Sequence, residues 1–255
     1  MEKSAAFFDV DNTLSRGSTL FLVARGLARR GFFSTRMVFK FALVQARFRL
    51  SGKEKFKEIA SVRQAALIFV KGHRTSELAD IAEEIYDESI CRSLWSGTVA
   101  LAQEHLDAGR EVWLVTASPL EMGEVIARRL GFTGALGTIA ASVDGIYTGE
   151  LVGDLLHGGA KAAAVRKLAE ESGLDLANCY AYSDSANDLP LLEAVGHPCA
   201  INPDSKLRRH AKANSWPISD YRRARRVARI AAPVVAAIGA ATALFSQKPW
   251  GGKRR

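Results

Sequence analysis

The sequence predicts an α/β fold: a Rossmann-like parallel sheet with helices on both faces, and a helical cap inserted after the first strand. Three observations carry this expectation. The apolar runs Ala5-Ala6-Phe7-Phe8, Val112-Trp113-Leu114-Val115 and Cys179-Tyr180-Ala181-Tyr182 read as buried strands, because parallel strands covered on both faces are continuously apolar. Each run ends in hydroxyl or carboxylate residues, and open parallel sheets bind ligands beyond the carboxyl ends of their strands. Helical periodicity fills the sequence between the runs, the alternation that puts helices on both faces of such a sheet. At 255 residues and 48% hydrophobic, the chain can hold one such core and an accessory domain.

Taken in order, residues 1–14 supply the first strand and 15–96 a helical insertion, the expected cap. Residues 97–221 resume the alternation. Thr98 to Ala108 reads as a helix before the Val112 strand, Leu120 to Leu130 as the helix after it, and Asp144-Gly145 as a hairpin turn. Gly158-Gly159-Ala160-Lys161 opens an amphipathic helix that includes Ala162 to Ala169, and Cys199-Ala200-Ile201 reads as a short last strand. Residues 222–255 form a basic and apolar tail. The three cysteines, Cys91, Cys179 and Cys199, are odd in number and lie in apolar contexts, which predicts reduced buried thiols rather than disulfides or a metal site. His157, His197 and His210 read as structural or exposed.

The strand ends hold the candidate chemistry. Asp9 and Asp11 stand two residues apart where a strand opens into a loop, so their carboxylates can converge on one phosphorus, one as nucleophile and one as proton carrier. The second run ends in Thr116-Ala117-Ser118, the third in Ser183-Asp184-Ser185-Ala186-Asn187-Asp188, and Lys161 stands at a helix start between them.

In that order, Asp-x-Asp, Thr, Lys and Asp-x-x-x-Asp, these residues resemble the four motifs of the haloacid dehalogenase superfamily over Ser4 to about Asp220. The insertion directly after the first motif, and Tyr182 to Leu192 as the fourth, are most similar to the branch that contains phosphoserine phosphatase and several lipid-phosphate phosphatases. The resemblance implies a phosphomonoesterase working through an aspartyl-phosphate. Asp9 would be the nucleophile and Asp11 the general acid and base. Mg²⁺ would be held by Asp9, Asp184 and the backbone carbonyl of Asp11. Thr116 and Lys161 would bind the phosphate oxygens. Asn187 and Asp188 would support them, Asp188 orienting Lys161 or a metal-bound water. Ser18 and Ser118 are candidate substrate contacts; Ser18 stands where phosphoserine phosphatases carry an ammonium-binding glutamate.

Charge and aromatic patterning bear on the substrate. From Arg25 to Lys57 ten basic residues face one acid, Glu54, with six phenylalanines interleaved. The tail holds nine of the 35 lysines and arginines and no acid, so the rest of the chain is close to neutral. Five tail arginines precede Ile230 to Phe245, 16 uncharged residues. As a helix that stretch would span roughly 24 Å, short against a hydrocarbon core of about 30 Å. These features predict a phosphate monoester substrate of amphiphilic or lipid character, and an anionic membrane surface as a partner of tail and cap. A small soluble metabolite such as phosphoserine is the alternative. A membrane-tethered binding or scaffold protein with a retained phosphatase core is the reading from another class. The sequence carries no recognised nucleic-acid module. An N-terminus that enters a strand without a preceding apolar region predicts no secretory signal, and places the catalytic body in the cytoplasm, peripheral to or anchored at the inner membrane face through the tail.

Overall fold

The computed structural model describes residues 3–32 and 70–222. Most of the Phe-rich stretch (33–69) and the tail from residue 223, with its apolar run, lie outside the described residues. The expectations for membrane contact therefore fall largely outside them too.

The first strand, β1, is Ala5–Asp9, and all five residues are buried. It is followed by α1 (Thr19–Arg29) and, after the undescribed stretch, α2 (Thr75–Ile85). Then come α3 (Ser96–Asp107), β2 (Glu111–Pro119), α4 (Leu120–Leu130) and β3 (Gly134–Thr138). A hairpin of β4 (Ala140–Val143) and β5 (Ile146–Leu151) precedes α5 (Gly159–Ser172). The chain continues through β6 (Tyr180–Ser183), the short α6 (Leu189–Leu192), β7 (His197–Ile201), α7 (Ser205–Ala213) and β8 (Ile218–Ser219). Six strands form a sheet in the order β3-β2-β1-β6-β7-β8, and every pairing is parallel.

Strand β1 is central because it has nothing polar to lose by complete burial until Asp9. Its alternate side chains enter different layers. On one face Phe7, level with Ala181 of β6, packs with Val115, with Ala162 and Val165 of α5 and with Leu207 of α7. On the other, Phe8 stacks on Tyr182 at 4.3 Å between ring centroids and meets His105 of α3 edge-on at 6.1 Å. Helices thus cover both faces. Each fully buried phenylalanine contributes roughly 1.5–3 kcal/mol by leaving water.

After β3 the chain crosses back over the sheet to lay β6 against the opposite edge of β1. At such a reversal, beyond the carboxyl ends of β1, β2 and β6, parallel α/β sheets bind ligands. Beside it, Asp144 and Gly145 turn the β4–β5 hairpin, with φ of 51° and 74°. Main-chain bonds from Gly72 N–H to Tyr147 O and from Thr75 N–H to Gly145 O, both 2.9 Å, join the hairpin to the segment that leads into α2.

Two expectations change. The Cys199–Ile201 segment is not the last strand: β7 begins at His197, and the two-residue β8, too short to show a period, pairs beyond it. Cys91 is exposed, unlike Cys179 and Cys199. One residue past buried Ile90, the turning chain swings Cys91 outward, where its Sγ donates back to Asp87 O at 3.2 Å. Among the described residues, no helix is long and apolar enough to cross a membrane.

Candidate active site

Asp9 ends β1, 5% exposed, at the carboxyl edge of the sheet. Beyond it the chain turns sharply, with Asn12 at φ 59°, and the turn is held from two sides. Gly17 N–H donates to Asn12 Oδ1 at 3.1 Å, and the buried Asn202, after β7, donates to Asn12 O at 2.9 Å. Asp11 is carried to the first turn of α1, where Thr19 N–H donates to its Oδ1 at 2.8 Å. An amide at a helix start has no partner within the helix and readily takes a carboxylate. Ser18 caps the same helix, its Oγ accepting from Phe21 N–H at 3.3 Å, so this candidate substrate contact has a structural task.

Lys161 arrives from the opposite side. Gly158 adopts φ 55° and ψ −122°, a conformation that glycine alone takes without strain, and it starts α5 so that Lys161 falls in the first turn. A Cβ on Gly158 would also stand 3.4 Å from the carbonyl oxygen of Asn187. Lys161 is 3% exposed, and its Nζ donates to Asp9 Oδ1 at 2.5 Å and to Asp188 Oδ2 at 2.8 Å. Ser183 Oγ donates to that same Asp188 oxygen at 2.8 Å. Asn187 takes part only in the local turn, its N–H donating to the capping Ser185 Oγ at 3.2 Å.

Thr116 stands on β2 one residue past Val115, the register partner of Asp9. Its Oγ1 accepts from Ser118 N–H at 3.1 Å and keeps its own proton to donate. Ser118 Oγ is buried with no partner among the described residues, a polar atom available to an incoming group. Thr138, at the end of β3, braces this loop from below: its Oγ1 donates to Ala117 O at 2.9 Å and accepts from Leu156 N–H at 3.1 Å.

The electrostatics follow from one ammonium set among several carboxylates. Burial pushes the Asp9 carboxyl up to about 7; Lys161 pulls it down, and Asp188 and Asp11 push it further up. Asp184 rises to about 8, again chiefly by burial, with the charges of Asp9 and Asp188 adding to it. For Lys161 burial opposes the charge, yet Asp9 and Asp188 outweigh it and hold the pKa above the ordinary lysine value. Such a cluster is short of positive charge. Among the described residues no three His, Cys, Asp or Glu side chains converge as a metal site by themselves. Asp9 and Asp184, near enough for the charge of one to act on the other, are nonetheless hard oxygen donors of the kind Mg²⁺ takes.

The structure therefore joins Asp9, Lys161 and Asp188 by direct bonds, sets Asp184 within reach of their charges, and ties Asp11 to α1. The sequence gives Ser183 a place at a strand end but no role, and does not single out Thr138 or Asn202. A signal existed for Ser183, a hydroxyl closing a buried strand beside a carboxylate; nothing local marked the other two.

A family model for haloacid dehalogenase-like hydrolases matches residues 6–193. The chain is 55% identical over 238 residues to phosphoserine phosphatase SerB1 of Mycobacterium tuberculosis, covering 93% of this chain and 77% of that one. It is 28% identical to histidinol-phosphatase of Neisseria meningitidis, covering 86% of this chain and all of the other. A crystal structure of a Bordetella pertussis protein of unknown function superposes with a TM-score of 0.75 at 31% identity, over 86% of this chain and 99% of that one.

Proposed function

Because the chain belongs to the haloacid dehalogenase-like hydrolase family, we propose that it is a phosphatase that moves the phosphoryl group of a small metabolite monoester first to Asp9 and then to water. The observation that carries this reading is Lys161 Nζ, 2.5 Å from Asp9 and 2.8 Å from Asp188, at the carboxyl end of the central strand.

One Asp9 oxygen accepts from Lys161, and the carboxylate attacks phosphorus in line. Lys161 has three N–H groups and gives two to Asp9 and Asp188; the third serves a phosphate oxygen, with the Thr116 hydroxyl holding another. Asp11, anchored through one oxygen by Thr19 N–H, uses the other to protonate the leaving alkoxide, then takes a proton from the water that hydrolyses the aspartyl-phosphate. Asp9, Asp184 and the Asp11 carbonyl would hold a Mg²⁺ ion, which when bound would supply positive charge between the carboxylate and the phosphate.

The relatives guide the choice of substrate. Phosphoserine and histidinol phosphate, read from the names of two of them, are both small monoesters with an amino group near the phosphate. The amphiphilic reading, drawn from the basic stretch Arg25 to Lys57 and from the tail, rests largely on residues outside the described ones, and the relatives favour the small metabolite instead. The test is kcat/KM over a panel of phosphoserine, histidinol phosphate, their deaminated analogues and an acylated glycerol phosphate, each with Mg²⁺ and with EDTA. The amino-bearing esters should lead, with turnover lost in EDTA. A preference for the acylated ester would overturn the substrate reading, and no phosphate release from any ester would favour the scaffold.

A further inference from the structure

Ser183 is wholly buried at the end of β6, one residue before Asp184. Its hydroxyl has two uses: it donates to Asp188 Oδ2 at 2.8 Å, and it accepts Ser185 N–H at 3.2 Å, closing a turn around Asp184. The acceptor of the first bond is the oxygen that also takes Lys161 Nζ at 2.8 Å. A chain of four buried groups results, Ser183 to Asp188 to Lys161 to Asp9.

The geometry of sharing sets the consequence. Lys161 is held by carboxylates on two sides, and its position depends on how strongly each draws it. A buried carboxylate bonded by one donor alone draws that donor hard, since nothing else offsets its lost hydration. The Ser183 O–H takes part of that load at Asp188. Lys161 is then left balanced between Asp188 and Asp9, with an N–H turned to the phosphate position. Without the hydroxyl, the ammonium would settle toward Asp188 and away from the reacting centre.

We propose that Ser183 is a positioning residue that sets the phosphate affinity of the site by acting on Lys161 through Asp188. The proposal rests on the phosphoryl-transfer reading above, and its test does not depend on turnover. The full chain, Ser183→Ala, Ser183→Thr, Asp188→Asn and the double variant Ser183→Ala/Asp188→Asn are titrated calorimetrically with inorganic phosphate, and their kcat and KM for p-nitrophenyl phosphate are measured alongside.

Losing a hydrogen bond to a charged group should weaken phosphate binding about 10- to 100-fold in Ser183→Ala. Ser183→Thr, which keeps the hydroxyl, should recover most of it. In the Asp188→Asn background, Ser183→Ala should change affinity by less than about threefold, because two groups in one chain are not additive. An equal effect in both backgrounds would overturn the proposal, assigning the serine to the turn around Asp184 instead; wild-type affinity in Ser183→Ala would overturn it outright. Should Ser183→Ala fail to fold, Ser183→Cys, close in size and a weak donor, is measured in its place against the same limits. Phosphate binding that follows this pattern without any ester turnover would contradict the phosphatase reading and leave the Ser183 assignment standing.

Discussion

Lowering the pH should unfold this protein partly through His105, a residue with no part in the proposed chemistry. His105 is 3% exposed on α3, between Phe8, Tyr180 and Tyr182. Arg110 Nε donates to its Nδ1 at 2.7 Å, so Nδ1 carries no proton, and Nε2–H donates to the Tyr182 hydroxyl at 2.7 Å. A second proton would have to enter at Nδ1, against the Arg110 guanidinium. Burial first, and then the charge of Arg110, lower the pKa from 6.5 to about 4. The unfolded chain takes up its proton near 6.5, while the folded chain defers it to about 4. Stability is thus fully present above pH 6.5 and is lost as pH falls toward 4, by roughly 2–3 kcal/mol at pH 4.5. Urea midpoints of wild type and His105→Gln between pH 7.5 and 4.5 isolate this term, since all other titrations are common to both. The advantage of wild type over the variant should shrink by roughly 2–3 kcal/mol over that range. A constant difference, or one that grows toward acid, would refute the reasoning.

Replacing Thr19 by proline removes the amide that anchors Asp11 while suiting the start of α1: Ser18 already has φ −92° and ψ 119°, the region a following proline requires. Relative to Thr19→Val, which keeps the N–H, Thr19→Pro should lower kcat about tenfold for alkyl phosphates and less for aryl phosphates, whose leaving groups need little protonation; equal kcat in the two variants would exclude the anchor. Gly158→Ala forces a side chain onto a backbone at φ 55°, and should cost about 1–2 kcal/mol in a urea titration as well as activity, through Lys161. Unchanged stability there would mean that the turn before α5 relaxes freely.

Much of the core was legible because its strands are buried on both faces. Nothing but apolar residues tolerates positions such as Phe7 and Phe8, and the polar residues that follow mark where each strand leaves the core. Asp9 was legible as a carboxylate closing an apolar run, whereas Lys161 and Asp188 were legible only through the resemblance of the four motifs taken in order. What failed to show in the sequence depends on partners distant in the chain. His105 lies 77 residues from Tyr182, and Asn202 lies 190 from Asn12, so neither carries a local signal. The edge strand β8 is fixed by pairing with β7 rather than by any pattern of its own. Cys91 was misread because an apolar neighbourhood in sequence says nothing about which side of a turning chain a residue occupies.

The central claim is that Asp9 becomes covalently phosphorylated. Its most direct measurement is rapid acid quench of the enzyme during turnover of a phosphate-labelled monoester, followed by peptide mapping, with Asp11→Asn included to slow hydrolysis of the intermediate. The expected result is an acyl-phosphate on the peptide containing Asp9, more abundant in Asp11→Asn than in wild type and absent from Asp9→Asn. Label on another residue, or full turnover by Asp9→Asn, would contradict the account.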